Sequence, residues 1–157
     1  MTAEREQYRV ASVATPVGQL YLSETDGFIH RLDWQGQERG RSAELAEGVA
    51  QITRYFAGQL QEFDLPLKLS GSSFQQRVQQ LMLDIPFGET RTYGDLAQEI
   101  GGAAQPVGNA CGANALPLLV PCHRVLGRNG LGGYSGAGGV ETKVALLRHE
   151  GAAGLLI

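Results

Sequence analysis

The residues best suited to chemistry stand in one string, Pro121-Cys122-His123-Arg124-Val125. A thiolate is the reactive form of cysteine, and a neighbouring base or cation favours it, so Cys122 is a candidate nucleophile. The string follows the apolar run LPLLV and precedes a glycine-rich loop over 125–139, where a substrate could reach the sulfur and backbone could approach it closely. His123 is the natural base, directly or through water. Glu150, at the end of the last helical segment, could orient it, which gives the three-part logic of nucleophile, base and carboxylate. On the pentapeptide alone, a reactive thiol and a small buried cysteine are equally good readings.

A chain of 157 residues suits one compact unit, or two small lobes sharing an interface. No segment approaches the roughly 20 apolar residues of a membrane span, and the first residues lack the apolar block of a signal peptide. The expectation is a cytoplasmic protein with no membrane association. Its two cysteines, Cys111 and Cys122, are too few for a disulfide framework or a four-thiolate metal site, so reduced thiols are expected. A net charge of -3 argues against a nucleic-acid partner, because DNA affinity rests mainly on Lys and Arg. The acidic excess, however, lies in the first part: residues 1–70 hold 7 of the 13 basic and 10 of the 16 acidic side chains.

The elements that must position Cys122 are read from periodicity. Residues 7–34 alternate apolar and polar around turns at Pro16-Val17-Gly18 and Asp26-Gly27, which predicts three antiparallel strands. His30 and Trp34 fall in the third strand and are given no chemistry. Leu45, Val49, Ile52, Tyr55 and Phe56 repeat at helical spacing up to Gly58. A connector around 65–73 places a lobe boundary near residue 71, dividing the chain into 1–70 and 71–157. Beyond it, Phe74, Val78, Leu81 and Met82 form an apolar stripe behind an N-cap at Ser72 or Ser73. Thr92 with Asp95 resembles a capping box for a short helix that stops at Gly101-Gly102, and Pro106 suits the first turn of another. Two such helices make a helix-turn-helix. Val140, Val144 and Leu147 mark a final helix. The fold class is therefore α+β: a small three-stranded sheet with a helix, then a mainly helical lobe with a helix-turn-helix and an active-site loop.

The string PCHRV, the upstream Tyr93-Gly94-Asp95-Leu96-Ala97, Val107-Gly108 and Asn114, and the downstream Tyr134-Ser135-Gly136 and Leu147-Arg148-His149-Glu150-Gly151 together resemble the O6-alkylguanine-DNA alkyltransferases. The ordered match covers about 72–151 and extends more loosely through Tyr55-Phe56-Ala57-Gly58. The resemblance implies a DNA repair protein acting as a monomer on double-stranded DNA. It would flip an O6-alkylguanine out of the helix, with O4-alkylthymine as a further substrate, and take the alkyl group irreversibly onto Cys122, once per molecule. It further implies that His123 and Glu150, with a water, draw off the thiol proton, that Asn114 braces the Cys122 loop and that Tyr93 donates to the departing guanine. Tyr134 would wall the alkyl pocket, the Ser135 backbone would bond O6, the Val125 carbonyl would read the exocyclic amine, and Lys143 would add positive charge. Thr92, Ala104, Gln105 and Arg124 would contact DNA. No cofactor is implied. Without a cysteine cluster in the first lobe, the zinc of some relatives is not expected, and Cys111 is read as a packing residue.

The sequence departs from this pattern where the family carries an arginine at the head of the recognition helix, which here is Gln105. Residues 103–121 contain no Lys or Arg. Ala115 replaces a common proline, and the loop after Tyr134 is about two residues longer. Two other readings stand beside alkyl transfer: a non-catalytic sensor of alkylated DNA, in which the reactive cysteine is typically replaced, and a turnover hydrolase using Cys122, His123 and Glu150.

Overall fold

The computed structural model describes residues 8–128, 130–134 and 136–152. The chain divides into two compact units, Met1–Leu69 and Ser70–Ile157.

In the first unit, β1 (Arg9–Thr15), β2 (Gly18–Thr25) and β3 (Phe28–Asp33) form an antiparallel sheet in that order. Alternation sends Val10, Val13, Leu20, Leu22, Ile29 and Leu32 into the core. The β2–β3 turn needs positive φ at Asp26 (53°) and Gly27 (86°), which Asp tolerates and Gly takes freely. A register irregularity at Ser23/Glu24 interrupts the β2–β3 ladder. Helix α1 (Ala43–Phe56), capped by the Ser42 hydroxyl on the Leu45 amide, covers the sheet. A Cβ on Gly48 would stand 2.9 Å from Leu22 Cδ1, so the absent side chain lets helix and sheet approach. His30 meets the Thr25 hydroxyl at 3.0 Å, and Trp34, just past β3 rather than within it, donates to the Val17 carbonyl at 2.9 Å.

The second unit is mainly helical. Helix α2 (Ser73–Leu83) starts with a reciprocal capping box between Ser72 and Gln75. Its buried face is Val78, Gln79 and Met82, narrower than the expected stripe: Phe74 is exposed, and Gln79 is satisfied by the Ser70 carbonyl. Strand β4 (Arg91–Thr92) leads into α3 (Tyr93–Ile100), where Thr92 and Asp95 form the expected capping box and Gly101 ends the helix at φ 82°. Helix α4 (Ala104–Gly112) follows three residues later and packs on α2 and α3. Strand β5 (Val125–Leu126) pairs with β4 in parallel, Arg91 with Val125 and Thr92 with Leu126. Local pattern gave no sign of this pair, which is only two residues long. Helix α5 (Val140–His149) closes the unit. Val140 is exposed, and the face that α5 buries is Thr142, Lys143, Leu146 and Leu147. No helix among the described residues is long and apolar enough to cross a membrane.

Candidate active site

Cys122 stands in a short segment that the fold pins from both sides. Asn114 is buried, and its side chain spans the segment: Nδ2 donates to the Val120 carbonyl and Oδ1 accepts from the Leu116 amide, both at 3.0 Å. Leu118 turns at φ 74°, and the Val120 amide bonds back to the Leu116 carbonyl at 2.8 Å. The chain then enters a single 3-10 turn, Cys122–Arg124, behind Pro121. Cys122 is 4% exposed. Its neighbours are therefore protein rather than bulk water.

Behind the turn lies a buried cluster of His123, Arg124 and Glu150. Glu150 Oε2 meets His123 Nε2 at 2.8 Å, and Arg124 donates from Nε to Oε1 and from Nη2 to Oε2, each at 2.9 Å. Arg124 Nη1 also donates to the Ile85 carbonyl at 2.7 Å. Burial alone would raise the Glu150 pKa, but hydrogen bonds from His123 and Arg124 outweigh it and hold the carboxyl well below its usual range. Burial lowers the His123 pKa, partly offset by its bond to Glu150, so the ring is neutral at neutral pH. A carboxylate only accepts, so Nε2 carries the ring proton and Nδ1 is left as a lone-pair acceptor. Nδ1 is buried and has no hydrogen-bond partner among the described residues.

In front of Cys122 is a cavity of about 350 Å³ lined by Tyr93, Gly108, Cys111, Gly112, Cys122, Gly133 and Tyr134. Gly108 and Gly112 are one helical turn apart on α4 and leave space where side chains would intrude. Burial raises the pKa of both tyrosines, well above 10.0 for Tyr134, so their hydroxyls keep their protons. Cys111 also reaches this wall, but its thiol donates to Met82 Sδ at 3.6 Å, and burial pushes its pKa up to about 12. Lys143 is fully buried, donating to the carbonyls of Val125 at 2.6 Å and Gly133 at 2.9 Å, with Nζ 5.8 Å from the Tyr93 ring centroid. It ties β5 to the cavity wall. Burial brings its pKa down to about 8, so it remains largely an ammonium at neutral pH.

Residues 73–152 match the family model described as the DNA binding domain of 6-O-methylguanine DNA methyltransferase, and residues 8–69 match that of its ribonuclease-like domain. The chain belongs to the 6-O-methylguanine DNA methyltransferase family. It is 43% identical over 150 residues to a methylated-DNA--protein-cysteine methyltransferase of Mycobacterium leprae, covering 88% of this chain and 90% of that one. The constitutive methyltransferase of that name from Bacillus subtilis is 42% identical over 151 residues, covering 87% and 91%. A crystal structure of Mycobacterium tuberculosis O6-methylguanine methyltransferase superposes with a TM-score of 0.82 at 37% identity, over 96% of both chains. One of the Mycobacterium tuberculosis protein in complex with DNA superposes at 0.79 and 42%, over 92% of both.

The methyltransferase fold thus brings Cys122, Tyr93 and Tyr134 to one cavity, sets His123 against Glu150, and holds Asn114 on the Cys122 segment. Thr92, Ala104 and Gln105 stand at the starts of α3 and α4, with Ala104 and Gln105 exposed. Two expectations need correction. Arg124, read as a DNA contact, is 7% exposed and held by Glu150 and Ile85, because a buried carboxylate needs its charge more than the surface does. Lys143 acts on loop carbonyls, and the Val125 carbonyl already accepts from it. Ser135 lies outside the described residues. Sequence reasoning gave Gly108 no role beyond the resemblance, did not single out Gly112 or Gly133, and took Cys111 for packing alone. A usable signal was present for Lys143: with Leu146, Leu147 and Glu150 it falls at i, i+3, i+4 and i+7, the buried stripe of a helix.

Proposed function

We propose that Cys122 is the alkyl acceptor of this methyltransferase, served by His123, Glu150, Asn114 and Tyr93. The protein repairs DNA by direct, stoichiometric transfer of an alkyl group from O6-alkylguanine to a cysteine of its own. The observation that carries the choice of cysteine is the contrast within one cavity. Cys111 is held as a thiol against Met82, whereas Cys122 adjoins the buried base and carboxylate.

The reaction is an in-line displacement. A target base must leave the stack to reach a protein pocket. Cys122 Sγ bonds the alkyl carbon as the carbon–O6 bond breaks, and that electron pair stays on the purine. The thiol proton passes through a bridging water to His123 Nδ1, and the imidazolium so formed is stabilised by Glu150. Tyr93 donates a hydrogen bond to the departing guanine, which gains a proton from its surroundings. Net, the thiol hydrogen is exchanged for the alkyl group, and the thioether has no route back. The Ser135 backbone is assigned to the guanine edge, as is the second lone pair of the Val125 carbonyl, whose other lone pair accepts from Lys143. Lys143 ties the Val125 carbonyl to that of Gly133 on the cavity wall. A cytoplasmic setting would keep both thiols reduced.

Incubation with duplex DNA carrying O6-methylguanine will add one methyl increment to the intact protein, on the peptide containing Cys122. A label on Cys111, or product accumulating beyond one equivalent, would overturn the assignment. A sensor would gain no mass, and a hydrolase would turn over.

Gln105 carries a second expectation. It is exposed at the start of α4, whose N-terminal amides receive no side-chain cap and so are available to phosphate. Filling the gap left by an extruded base offsets an unstacking cost of a few kcal/mol, and a neutral amide does this less well than a guanidinium. Gln105→Arg should therefore speed repair of duplex DNA while changing reaction with the free base O6-methylguanine little. Equal acceleration on both substrates, or none on duplex, would show that Gln105 is not the limiting wedge.

A further inference from the structure

The recognition helix α4 carries no cation, yet affinity for DNA comes chiefly from cations that neutralise phosphates. Of the basic side chains in the second unit, Arg124 and Lys143 are buried, and Arg91 is engaged by Glu89 at 3.1 Å and by the Thr90 carbonyl at 2.8 Å. Arg77, Arg128 and Arg148 are exposed. Arg77 lies on α2 and Arg148 in the last turn of α5. Arg128 alone of the three sits on the loop that walls the cavity.

Its position there is set by backbone. Gly127 and Gly130 form an antiparallel bridge directly after β5, and Arg128, next to Gly127, is exposed with no hydrogen bond or ion pair among the described residues. The bridge is seated on the cavity wall: a Cβ on Gly127 would stand 3.5 Å from the Gly132 amide nitrogen, and one on Gly132 would stand 2.8 Å from the Tyr93 hydroxyl. Gly133, the next residue, lines the cavity beside Cys122. The β4–β5 pairing sets the same bridge beside Thr92 and the start of α3. An exposed arginine thus stands on the same short loop as Gly133 and Tyr134, which wall the cavity that a flipped base must enter. The phosphates flanking that nucleotide stay on the DNA backbone outside the cavity.

We propose that Arg128 is a phosphate contact of this methyltransferase, gripping the DNA backbone at the cavity mouth and supplying from the loop the charge that α4 lacks. The proposal rests on the reading of the cavity given above, and it makes Arg128 a positioning residue that takes no part in the displacement itself. Because a phosphate is met here as a charge, lysine should serve nearly as well as arginine.

The test has two arms. Binding of a fluorescent duplex carrying O6-methylguanine is measured over a salt series in the Cys122→Ser background, so that this arm stands whatever becomes of the acceptor assignment. Arg128→Ala should reduce the slope of log affinity against log salt by about one, and Arg128→Lys should restore it. In the protein that retains Cys122, the ratio of the repair rate on duplex to the rate with free O6-methylguanine should fall severalfold for Arg128→Ala and recover for Arg128→Lys. Arg77→Ala, which removes an exposed charge away from the loop, is the control. An unchanged slope and ratio in Arg128→Ala would overturn the proposal. So would an equal loss in Arg77→Ala, which would mean diffuse attraction rather than a contact.

Discussion

Cys122→Ser will bind duplex DNA containing O6-methylguanine but transfer none of its methyl group, a loss of about 10³-fold or more, as removal of a nucleophile entails. The hydroxyl loses its proton far less readily than a thiol, and the buried seat makes the alkoxide costlier still. Volume and shape change little, so the cavity and its tyrosines should persist. Cys111 cannot take over: its pKa near 12 keeps it protonated, and its hydrogen is committed to Met82. Radiolabelled substrate with a gel-shift assay on the same samples reads both properties. Transfer by the serine variant at more than a trace would mean that the acceptor lies elsewhere.

The other large effect concerns stability. Arg124→Leu removes both strands of a bidentate pair and leaves the buried Glu150 carboxylate without its guanidinium. Orphaning one member of a buried ion pair costs about 3–5 kcal/mol, a large share of the stability of a small domain. The sign of the pH dependence follows from Glu150, whose folded pKa lies below its unfolded value of 4.5. Such a group contributes stability above its unfolded pKa and loses it as pH falls towards the folded one. The gap between parent and variant in urea midpoint should therefore be widest near neutrality and narrow below about pH 4.5. A constant gap would place the contribution of Arg124 in packing instead of charge. The salt dependence of DNA binding should be unchanged in the variant, since Arg124 does not face solvent; a shallower slope would restore it to the DNA surface.

That reversal shows where the sequence stops being legible. Strands and helices followed from alternation, apolar stripes and caps, because a half-buried sheet and a capped helix are local consequences of local residues. Cys122, His123 and Glu150 were also visible, the first two as a string and the third at a helix end. The partners of Arg124 were not. It meets a carboxylate 26 residues away and a carbonyl 39 residues away, distances across which no periodicity carries information. A charged residue beside a catalytic candidate reads as surface by default, and only tertiary packing reveals the buried acid that claims it. Lys143 fails in the opposite way: its stripe position was readable, but a lysine there contradicts the rule that stripes are apolar. The two loop carbonyls that reward its burial come from 10 and 18 residues upstream. The β4–β5 pair and the cavity glycines belong to the same class, being products of chain segments that meet only in the fold.

The quiet seating of Cys111 has a practical consequence. With two cysteines in the chain and one held protonated against a thioether, Cys122 is left to answer a thiol-directed dye or an alkylated base. Each molecule then records a single event and cannot be reset. The fraction of a population that no longer takes up the dye is a running tally of lesions met, and the protein becomes a dosimeter whose capacity is fixed by its copy number.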